Sequence, residues 1–491
     1  MKHAIVIGAG IGGLSAACLL AAEGYKVTVY EKNSTPGGKM QERVRDGYRF
    51  DTGPSLLTMP FVLEKLFERC GENLHDYLAY TDLQPICRYF YPDGVVFDNY
   101  SDKKLNAAEL KKFAPKDVSS YSKFLKRSEK LYNRTADAFL FNPLYSIKDL
   151  KFLSLFNLLR IDALSTVSKK VDRYFSSPHL RQFFKRFSTY NGSSPYQAPA
   201  TLNVIPHVEL NQGGYYVKGG LYQIARSLFK LAEKSGVNFQ FNQTVISLDV
   251  SGKKINGVKF KKGSIEKADV VVANSDATDT LLNLIPGQHL SNRKKKSLKK
   301  IEPSCSGFVL LLGCNKQWEE LKHHNIFFSD NYKKEFQDIF QKKHMPENPT
   351  IYVANSSYTD PSHAPEGASN LFVLINAPYV VENQNWEEVE ETYSSFIISE
   401  LEKRGLNGLE TSLNLVETIT PVDFRNMYRS NRGSIYGTSS NSKFSAFLRP
   451  RNKVRFLDNL YLVGGSSHPG GGIPLVVQSA FNAMDLMNRH K

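Results

Sequence analysis

The chain has few cysteines, and they follow no recognisable pattern. The five are Cys18, Cys70, Cys87, Cys305 and Cys314, an odd number in 491 residues. No Cys-x-x-Cys pair and no Cys/His ligand spacing occurs, which argues against a disulfide framework and a structural zinc site. We therefore expect buried structural thiols, no metal and a reducing compartment.

Long apolar runs are also scarce. The uncharged run Ala4–Ala22 has the length of a signal anchor or a membrane span. Its four glycines, and its division into a strand and a helix, favour a folded unit instead. No other segment is long and apolar enough to span a bilayer. We expect a cytoplasmic protein that is soluble or attached peripherally to a membrane.

Acidic residues are outnumbered, since 63 Lys and Arg stand against 48 Asp and Glu, a net charge of +15. This charge suggests nucleic acid or an anionic membrane surface as a partner, and a merely solvated basic surface is the alternative. No zinc finger, aromatic RNA-binding pattern or helix-turn-helix accompanies the charge, so we expect no nucleic acid partner. The run NRKKKSLKK at 292–300 would suit an anionic membrane, although such runs are more often solvated.

Internal repeats and low-complexity linkers are absent as well. Hydrophobic residues make up 41% and aromatic residues 12% of the chain, which is a globular composition. A chain of this length can form two or three domains with separate hydrophobic cores, or one large intertwined unit. We expect interleaved domains.

The stretch HAIVIGAGIGGLSAACLLAAEGYKVTVYEK predicts a β-α-β unit with a dinucleotide-binding loop. Gly8 allows a tight turn, Gly10 lets the backbone approach a pyrophosphate, and Gly13 lets the helix pack close to the strand. Gly12 lies in the same loop, at a helix N-terminus that favours negative charge. Glu31 stands 18 residues after Gly13 and can accept hydrogen bonds from ribose hydroxyls.

The following residues favour FAD over NAD. KNSTPGGKM comes directly after Glu31, and RFDTGPS occupies 49–55. This extension resembles the flavoprotein version of the fingerprint, whose glycine-rich backbone passes close to an extended dinucleotide. The cofactor-binding residues predicted here are Lys32, Gly37, Gly38, Lys39, Pro54 and Ser55.

Two later segments predict returns to the nucleotide domain. GGYYVKGG at 213–220 precedes a helical pattern and three strand-like runs. Val245 lies in the strand that we expect beside the adenine. The alternative is that this region forms a separate small α/β domain. At 459–487, a buried strand and a glycine turn precede a helix that starts near Pro474. Its N-terminus would suit a flavin carbonyl or a phosphate. The tail residues predicted to bind the cofactor are Gly464, Gly465, Gly472, Ile473 and Pro474.

The region from 107 to 210 is mostly helical by periodicity and rich in Phe, Leu and Tyr. Its stretch AFLFNPLYSIKDLKFLSLFNLLRIDAL, at 138–164, mixes apolar residues with lysine and arginine. An amphipathic domain packed inward and a surface that dips into a membrane are both open.

Several polar residues are candidates for a chemical role. His468 lies in the turn GGSSHPGGGIP without a metal partner or a visible acid, so we expect a turn residue beside the site instead of a catalyst. Asp51 is either a site carboxylate or a turn cap. His323 and His324 have no acidic or cysteine partner at ligand spacing, and we expect both to be exposed.

Together these motifs resemble the bacterial carotenoid desaturase family, the phytoene-desaturase-like branch of the flavin amine oxidase superfamily. The resemblance rests on the N-terminal fingerprint with Glu31, on GGKM, RFDTGPS and GGYYVKGG, on SSYTDPSHAPEG at 356–367, and on the tail. It covers nearly the whole chain and is weakest in the helical middle. The tail is most similar to the later-acting 1-hydroxycarotenoid 3,4-desaturases and terminal oxidases.

The resemblance implies an α/β fold of the flavin amine oxidase and GDI-like superfamily. A Rossmann-like FAD-binding domain is built from discontinuous segments, and an α+β substrate domain carries a helical subregion that faces the membrane. The implied segments are 1–80, 213–285 and 455–491 for the FAD-binding domain, and 81–212 and 286–454 for the substrate domain, with 107–210 as its helical part.

The resemblance also implies FAD as the redox cofactor and a C40 or C30 polyene from the membrane as the substrate. We favour 3,4-desaturation of a 1-hydroxylated or monocyclic (gamma-carotene-type) carotenoid, with hydride transfer from an allylic carbon to flavin N5. Phytoene desaturation and terminal-methyl oxidation are alternatives. A base or water must take the proton, and no catalytic residue is assigned. A membrane quinone or oxygen would accept the electrons. An amine oxidase and a non-catalytic prenyl-lipid-binding protein of GDI-like fold are the rivals.

Overall fold

The structure is a computed structural model that describes residues 1–142, 162, 164–382, 384–442 and 449–489. Five of the described strands form a parallel sheet to which the chain returns from distant positions. In spatial order they are Leu460–Leu462, Val270–Ala273, His3–Ile7, Lys26–Tyr30 and Asn238–Gln240. The first β-α-β unit therefore forms as the sequence predicts, and two later parts of the chain extend its sheet on either side.

The first helix, Ile11–Ala22, is buried along most of its length. It packs against the helices Tyr222–Lys234 and Ile473–Asn488. A Cβ atom on Gly13 would stand 2.0 Å from the carbonyl oxygen of Gly8, so only glycine lets the helix lie this close to the preceding loop. The uncharged N-terminal run is thus a strand and a core helix of one packed unit.

A second, seven-stranded sheet is mostly antiparallel, with one parallel pair between its strands at 87–90 and 324–327. Its strands, in spatial order, are Leu413–Ile419, Ser306–Cys314, Ser369–Ala377, Ile351–Asn355, His324–Phe327, Cys87–Phe90 and Val96–Asn99. The smaller sheets consist of Val245–Ser251, Lys254–Phe260 and Ile265–Lys267, of Glu42–Arg45 with Tyr48–Asp51, and of Tyr80–Asp82 with Tyr215–Val217.

Alternation along the central strands gives the large sheet two different faces. Ile351, Val353 and Val373 point into a core that is shared with the helix Trp386–Lys403. The intervening residues, such as Tyr352, point to the opposite face, where a cavity lies.

Helices between 103 and 210 cover this cavity face. They share an aromatic core that includes Phe124, Phe183, Phe184 and Phe187. The helices of this region are Lys103–Phe113, Val118–Thr135, Val167–Asp172, Pro178–Lys185 and Ile205–Leu210. Most of the stretch 138–164, for which inward packing and membrane contact are both open, lies outside the described residues.

Six further α-helices lie in the described part of the chain. They are Phe61–Arg69, Ala277–Asp279, Asn292–Lys299, Tyr332–Gln337, Leu409–Ser412 and Pro421–Tyr428. Within the part of the chain that the structure describes, no helix combines the length and the hydropathy needed to cross a membrane. The division into two domains stays a prediction, although each predicted FAD-binding segment contributes a strand to the parallel sheet.

Candidate functional site

Two cavities meet in the middle of the molecule. The smaller has a volume of about 330 Å³, and the larger has a volume of about 1210 Å³. Some residues line both, among them Pro54, Phe372, Leu374, Tyr436 and Gly472. A molecule in the smaller cavity would therefore touch the same side chains as a molecule in the larger one.

The smaller cavity lies at the carboxyl edge of the parallel sheet. Gly8, Glu31 and Asn274 each come directly after one of its strands, and Gly464 follows another after a single residue. Ligands of open parallel sheets bind at this edge because the loops that follow the strands converge there.

The structure places most of the predicted cofactor-binding residues around the smaller cavity. Those in its wall are Gly8, Gly10, Gly12, Glu31, Lys32, Gly37, Gly38, Lys39, Pro54, Val245, Gly464, Gly465, Gly472 and Ile473. Ser55 and Pro474 instead line the larger cavity, and Gly13 lies behind the loop against Gly8.

Two helix N-termini border the smaller cavity. The helix Ile11–Ala22 begins after Gly10 and the helix Ile473–Asn488 begins after Gly472, and neither has a side-chain cap. Their first backbone N–H groups are thus available to an anion such as a pyrophosphate.

The two glycine loops approach each other too closely for side chains. A Cβ on Gly12 would lie 2.8 Å from the backbone nitrogen of Gly464, and one on Gly10 would lie 2.6 Å from Nδ2 of Asn274. The result is a cradle of bare backbone between the two loops, which fits the diphosphate of a dinucleotide.

Glu31 closes the far end of this cradle. Its side chain is 6% exposed, and Oε2 accepts a hydrogen bond from the N–H of Ala9 at 2.7 Å, while Oε1 accepts one from the N–H of Asn33 at 2.9 Å. Backbone donors hold this carboxylate in one orientation, so its remaining lone pairs point in fixed directions. Recognition of a ribose diol requires such fixed acceptors.

Lys39 lies near the place where the two cavities meet. Its Nζ donates to the carbonyl oxygens of Ser434 and Ile435 at 3.0 and 3.1 Å. Burial lowers the pKa of Lys39 to about 8, although the carboxylate of Asp276 acts in the opposite direction. Sequence reasoning missed Asn274 and Asp276. Their only signal is that they follow the strand 270–273, whose pairing with the distant first strand is not visible in the sequence.

The larger cavity lies between the seven-stranded sheet, which forms its floor, and the helical region, which forms its roof. Alternate residues of the seven-stranded sheet form the floor: His324, Ile326, Tyr352, Phe372, Leu374 and Asn376. Roof residues come from the helical region: Thr135, Phe139, Leu140, Tyr190, Leu202, Val204, Ile205 and Val208. An elongated apolar molecule would fit this space better than a small polar one.

Charged groups in the larger cavity are tied to protein partners. Arg186 donates to Glu209 Oε1 at 2.7 Å, and Tyr190 donates to the other carboxylate oxygen. Arg449 donates to the carbonyl oxygens of Tyr436 and Gly465 at 3.1 and 3.2 Å. The first set of contacts joins two helical segments of the roof, and the Arg449 contacts join two residues of the smaller cavity's wall.

His468 lies in the wall of the larger cavity, with Nε2 3.3 Å from the carbonyl oxygen of Asn142. Burial lowers the pKa of His468 to about 4, so the ring is neutral near pH 7. Asp51 lies in neither cavity wall; it accepts hydrogen bonds from the N–H groups of Leu221 and Tyr222 and pairs with Arg49. It therefore caps the helix Tyr222–Lys234.

The expectation that His323 and His324 are exposed is wrong. Each is 2% exposed, because the strand that follows His323 is an inner strand of the large sheet. Four of the cysteines are buried free thiols, as expected, and Cys70 is half-buried.

The model of the flavin-containing amine oxidoreductase family matches residues 11–487 of the chain. The 1-hydroxycarotenoid 3,4-desaturase of Flavobacterium sp. (strain P99-3) is 39% identical, with 99% of each chain covered. The 4,4'-diaponeurosporene oxygenase of Staphylococcus haemolyticus is 37% identical, covering 99% of this chain and 97% of that protein.

Solved structures show the same fold at low identity. A triple mutant of putrescine oxidase has a TM-score of 0.66 at 12% identity and covers 99% of both chains. A Rab GDI from Plasmodium falciparum has a TM-score of 0.54 at 12% identity, covering 99% of this chain and 98% of that one. The predicted fold class is thereby confirmed.

Proposed function

The chain belongs to the family of flavin-containing amine oxidoreductases, whose cofactor is FAD, and we propose that it desaturates a carotenoid end group. The reaction we favour introduces the 3,4 double bond of a 1-hydroxylated or monocyclic carotenoid. One observation carries the proposal: an apolar cavity of about 1210 Å³ shares wall residues with the glycine-lined cavity. A long polyene can thus be held with one bond beside the cofactor.

The relatives support this substrate class. The 3,4-desaturase and the 4,4'-diaponeurosporene oxygenase are both named for reactions of carotenoids, and both match this chain over almost its full length. Oxidation of a terminal methyl group is therefore the first alternative, and phytoene desaturation is the second. All three reactions would use the same pair of cavities.

The residues around the smaller cavity would hold FAD. The N-termini after Gly10 and Gly472 would bind the pyrophosphate and the flavin, and Glu31 would bind the ribose of the adenosine. Val245 would lie beside the adenine. When bound, FAD supplies a hydride acceptor for the allylic carbon of the substrate.

The larger cavity would orient the polyene and exclude water. Its floor presents Ile326, Phe372 and Leu374, which offer no hydrogen bonds that a hydrocarbon would leave unsatisfied. Exclusion of water protects a cationic carbon centre from hydration. The chain's own contribution is therefore to hold the end group against the shared wall at Phe372 and Leu374.

We also propose that the protein works at the cytoplasmic surface of a membrane. Leu164, 74% exposed, and the exposed Arg451 and Arg455 are in the wall of the larger cavity. An exposed apolar side chain and two exposed cationic ones in the wall of one cavity would suit an anionic bilayer from which a lipophilic substrate is taken. A membrane quinone or oxygen would accept the electrons.

The rival functions predict different behaviour. A prenyl-lipid-binding protein of GDI-like fold needs no flavin, and an amine oxidase needs a pocket with a polar end for its substrate. The experiment is to purify the protein, record its flavin spectrum, and incubate it with a 1-hydroxylated linear carotenoid, with phytoene and with aliphatic amines. Loss of two hydrogens from the hydroxylated carotenoid, with a red-shifted absorption, supports the proposal. A colourless protein that FAD cannot reconstitute, or oxidation of amines alone, overturns it.

A further inference from the structure

A chain of three hydrogen-bonded polar side chains lies in the wall of the larger cavity. The Ser55 and Tyr352 hydroxyl oxygens are 2.5 Å apart, and the Tyr352 hydroxyl is 2.7 Å from Nδ1 of His324. Ser55 and Tyr352 are half-buried in the cavity wall, whereas His324 is 2% exposed. The chain therefore connects the cavity surface with a buried imidazole.

This chain lies beside the junction of the two cavities. Ser55 directly follows Pro54, which lines both cavities. Tyr352 pairs in the sheet with Leu374, which also lines both. Its ring centroid is 6.4 Å from that of Phe372, a third shared residue. A substrate carbon held against the cofactor would thus be close to Ser55 and Tyr352.

We propose that Ser55, Tyr352 and His324 form a proton relay that takes up the proton released by desaturation. This inference rests on the proposed function. Removal of a hydride leaves an allylic cation, and loss of a proton from the neighbouring carbon forms the double bond. Ser55 Oγ accepts that proton from the substrate carbon. At the same time, the serine hydroxyl gives its own proton to the Tyr352 oxygen, and the tyrosine hydroxyl gives its proton to His324 Nδ1.

The proton balance closes within one turnover. The substrate loses a hydride and a proton, and the electron acceptor, oxygen or a quinone, finally receives two electrons and two protons. The imidazolium returns its proton by the same relay when the acceptor is reduced. Because a C–H bond next to an allylic cation is strongly acidic, a weak base is sufficient.

The resting state of His324 suits this role. Burial, with His323 and Arg186 nearby, holds the pKa of His324 well below its usual range, so the ring is a neutral acceptor. Its Nε2 is buried and has no hydrogen-bond partner among the described residues. With the ring proton on Nε2, Nδ1 accepts from Tyr352 and Tyr352 accepts from Ser55.

Other acceptors in the cavity wall are less suited. The carboxylate of Glu209 is held by Arg186 and Tyr190, which stabilise its charged form and occupy both oxygens. His468 faces the carbonyl oxygen of Asn142, and among the described residues no hydrogen bond links its ring to Ser55 or Tyr352. The relay through Tyr352 combines a cavity-facing hydroxyl with a neutral base that is hydrogen-bonded to it.

The test compares Tyr352→Phe and His324→Ala with the wild type, using FAD-loaded protein and a 1-hydroxylated linear carotenoid. Each substitution should lower kcat about 100-fold, the usual size of a general-base contribution. The KM and the bound FAD of Tyr352→Phe should change less than about twofold, because its ring and the cofactor cavity remain. His324→Ala should keep its FAD content, because His324 is not in the wall of the smaller cavity. Imidazole added to His324→Ala should restore kcat about tenfold by filling the vacated site.

His323→Asn is the matched control. His323 is equally buried and adjacent, but its Nδ1 bonds Thr359 Oγ1 at 2.7 Å and it does not line the cavity. Asparagine can replace that bond, so kcat at pH 7.5 should remain within about twofold of the wild type.

A second measurement needs no turnover. Nitrogen NMR of histidine-labelled protein should show His324 as the Nε2–H tautomer, with an Nδ1 signal that moves when Tyr352 becomes phenylalanine. The Nδ1–H tautomer would overturn the relay, because Tyr352 would have no acceptor for its proton.

The kinetic outcomes separate the two proposals. Unchanged kcat in both variants, or a loss of kcat that imidazole does not relieve, overturns the relay while a working wild type keeps the proposed function. A wild type that binds FAD but oxidises no carotenoid overturns both.

Discussion

The carboxylate of Glu31 accepts a hydrogen bond from the backbone N–H of Ala9 at 2.7 Å. This contact joins the end of the second strand to the middle of the glycine loop, 22 residues earlier in the chain. It fixes the acid at one end of the smaller cavity before any ligand binds. A carboxylate that is preorganised in this way would lose little entropy on binding a ribose.

Glu31→Gln should weaken FAD binding. The amide group would turn a donor towards either the Ala9 N–H or the ribose hydroxyls, and the charge would be lost. Hydrogen bonds to a charged group contribute about 1.5–3 kcal/mol, so the dissociation constant should rise roughly 10- to 100-fold. Titration of apoprotein with FAD, followed by flavin fluorescence, measures it. Glu266→Gln, at an exposed strand, is the control and should bind FAD normally.

Gly10→Val should abolish flavin binding. A Cβ at this position already stands 2.6 Å from Nδ2 of Asn274, and the remaining valine atoms would enter the space of the pyrophosphate. The flavin-to-protein absorbance ratio of purified protein checks this. Gly24→Ala is the control: its φ of +79° costs alanine about 1 kcal/mol of stability, but nothing lies within 4 Å, so flavin content should stay normal. Normal flavin in the valine variant would refute the assignment of this loop.

Val208→Trp should block the substrate and spare the cofactor. Val208 is half-buried and lines the larger cavity only, so an indole there would occupy part of the polyene's space. We expect at least a tenfold fall in kcat/KM for the carotenoid, with unchanged FAD content. The same substitution at Val416, 46% exposed on an outer strand, should alter neither quantity. Equal turnover by both variants would show that the polyene lies elsewhere.

His323 should make the protein less stable in acid. Burial, with a smaller effect of His363, lowers the pKa of His323 to about 3. Between pH 3 and about 6.5 the unfolded chain holds a proton that the folded chain does not, so the free energy of unfolding falls as the pH falls. His323→Asn should reduce this slope by about 1.4 kcal/mol per pH unit between pH 4 and 6. Urea unfolding at several pH values measures the slope; above pH 7 the two proteins should show the same pH dependence.

His468→Ala should keep FAD and most of the activity. Because burial lowers the pKa of His468 to about 4, the ring does not titrate between pH 5 and 8. We expect kcat within about threefold of the wild type and the same pH profile over this range. A new inflection near neutral pH, or loss of more than 100-fold in kcat, would assign His468 a chemical role.

Local patterns in the sequence predicted the first β-α-β unit correctly. The glycines and Glu31 are separated by fewer than 25 residues, and the turn, the helix start and the strand end follow from short-range geometry. The tail could be predicted for the same reason: its glycine turn directly precedes a helix with proline near its start, observed at Ile473.

Partners from distant parts of the chain were not predictable in this way. Asn274 approaches Gly10 only because the strand at 270–273 pairs with the first strand. Likewise, Ser55 meets Tyr352 across 297 positions of sequence, and neither residue type is unusual where it stands. His323 and His324 looked solvent-exposed because no local pattern marks an inner strand of a mixed sheet.

The sequence by itself determined the glycine loop, the acid after the second strand and the family, because these depend on residue types at short, fixed spacings. The tertiary structure decided which side chains share the two cavities. Long-range strand pairing selects one of two faces for each residue of the large sheet, and so brings Tyr352 to the cavity and sends Val353 into the core. That choice of face places Tyr352, hydrogen-bonded to Ser55 and to His324, beside the bond that we propose to be oxidised.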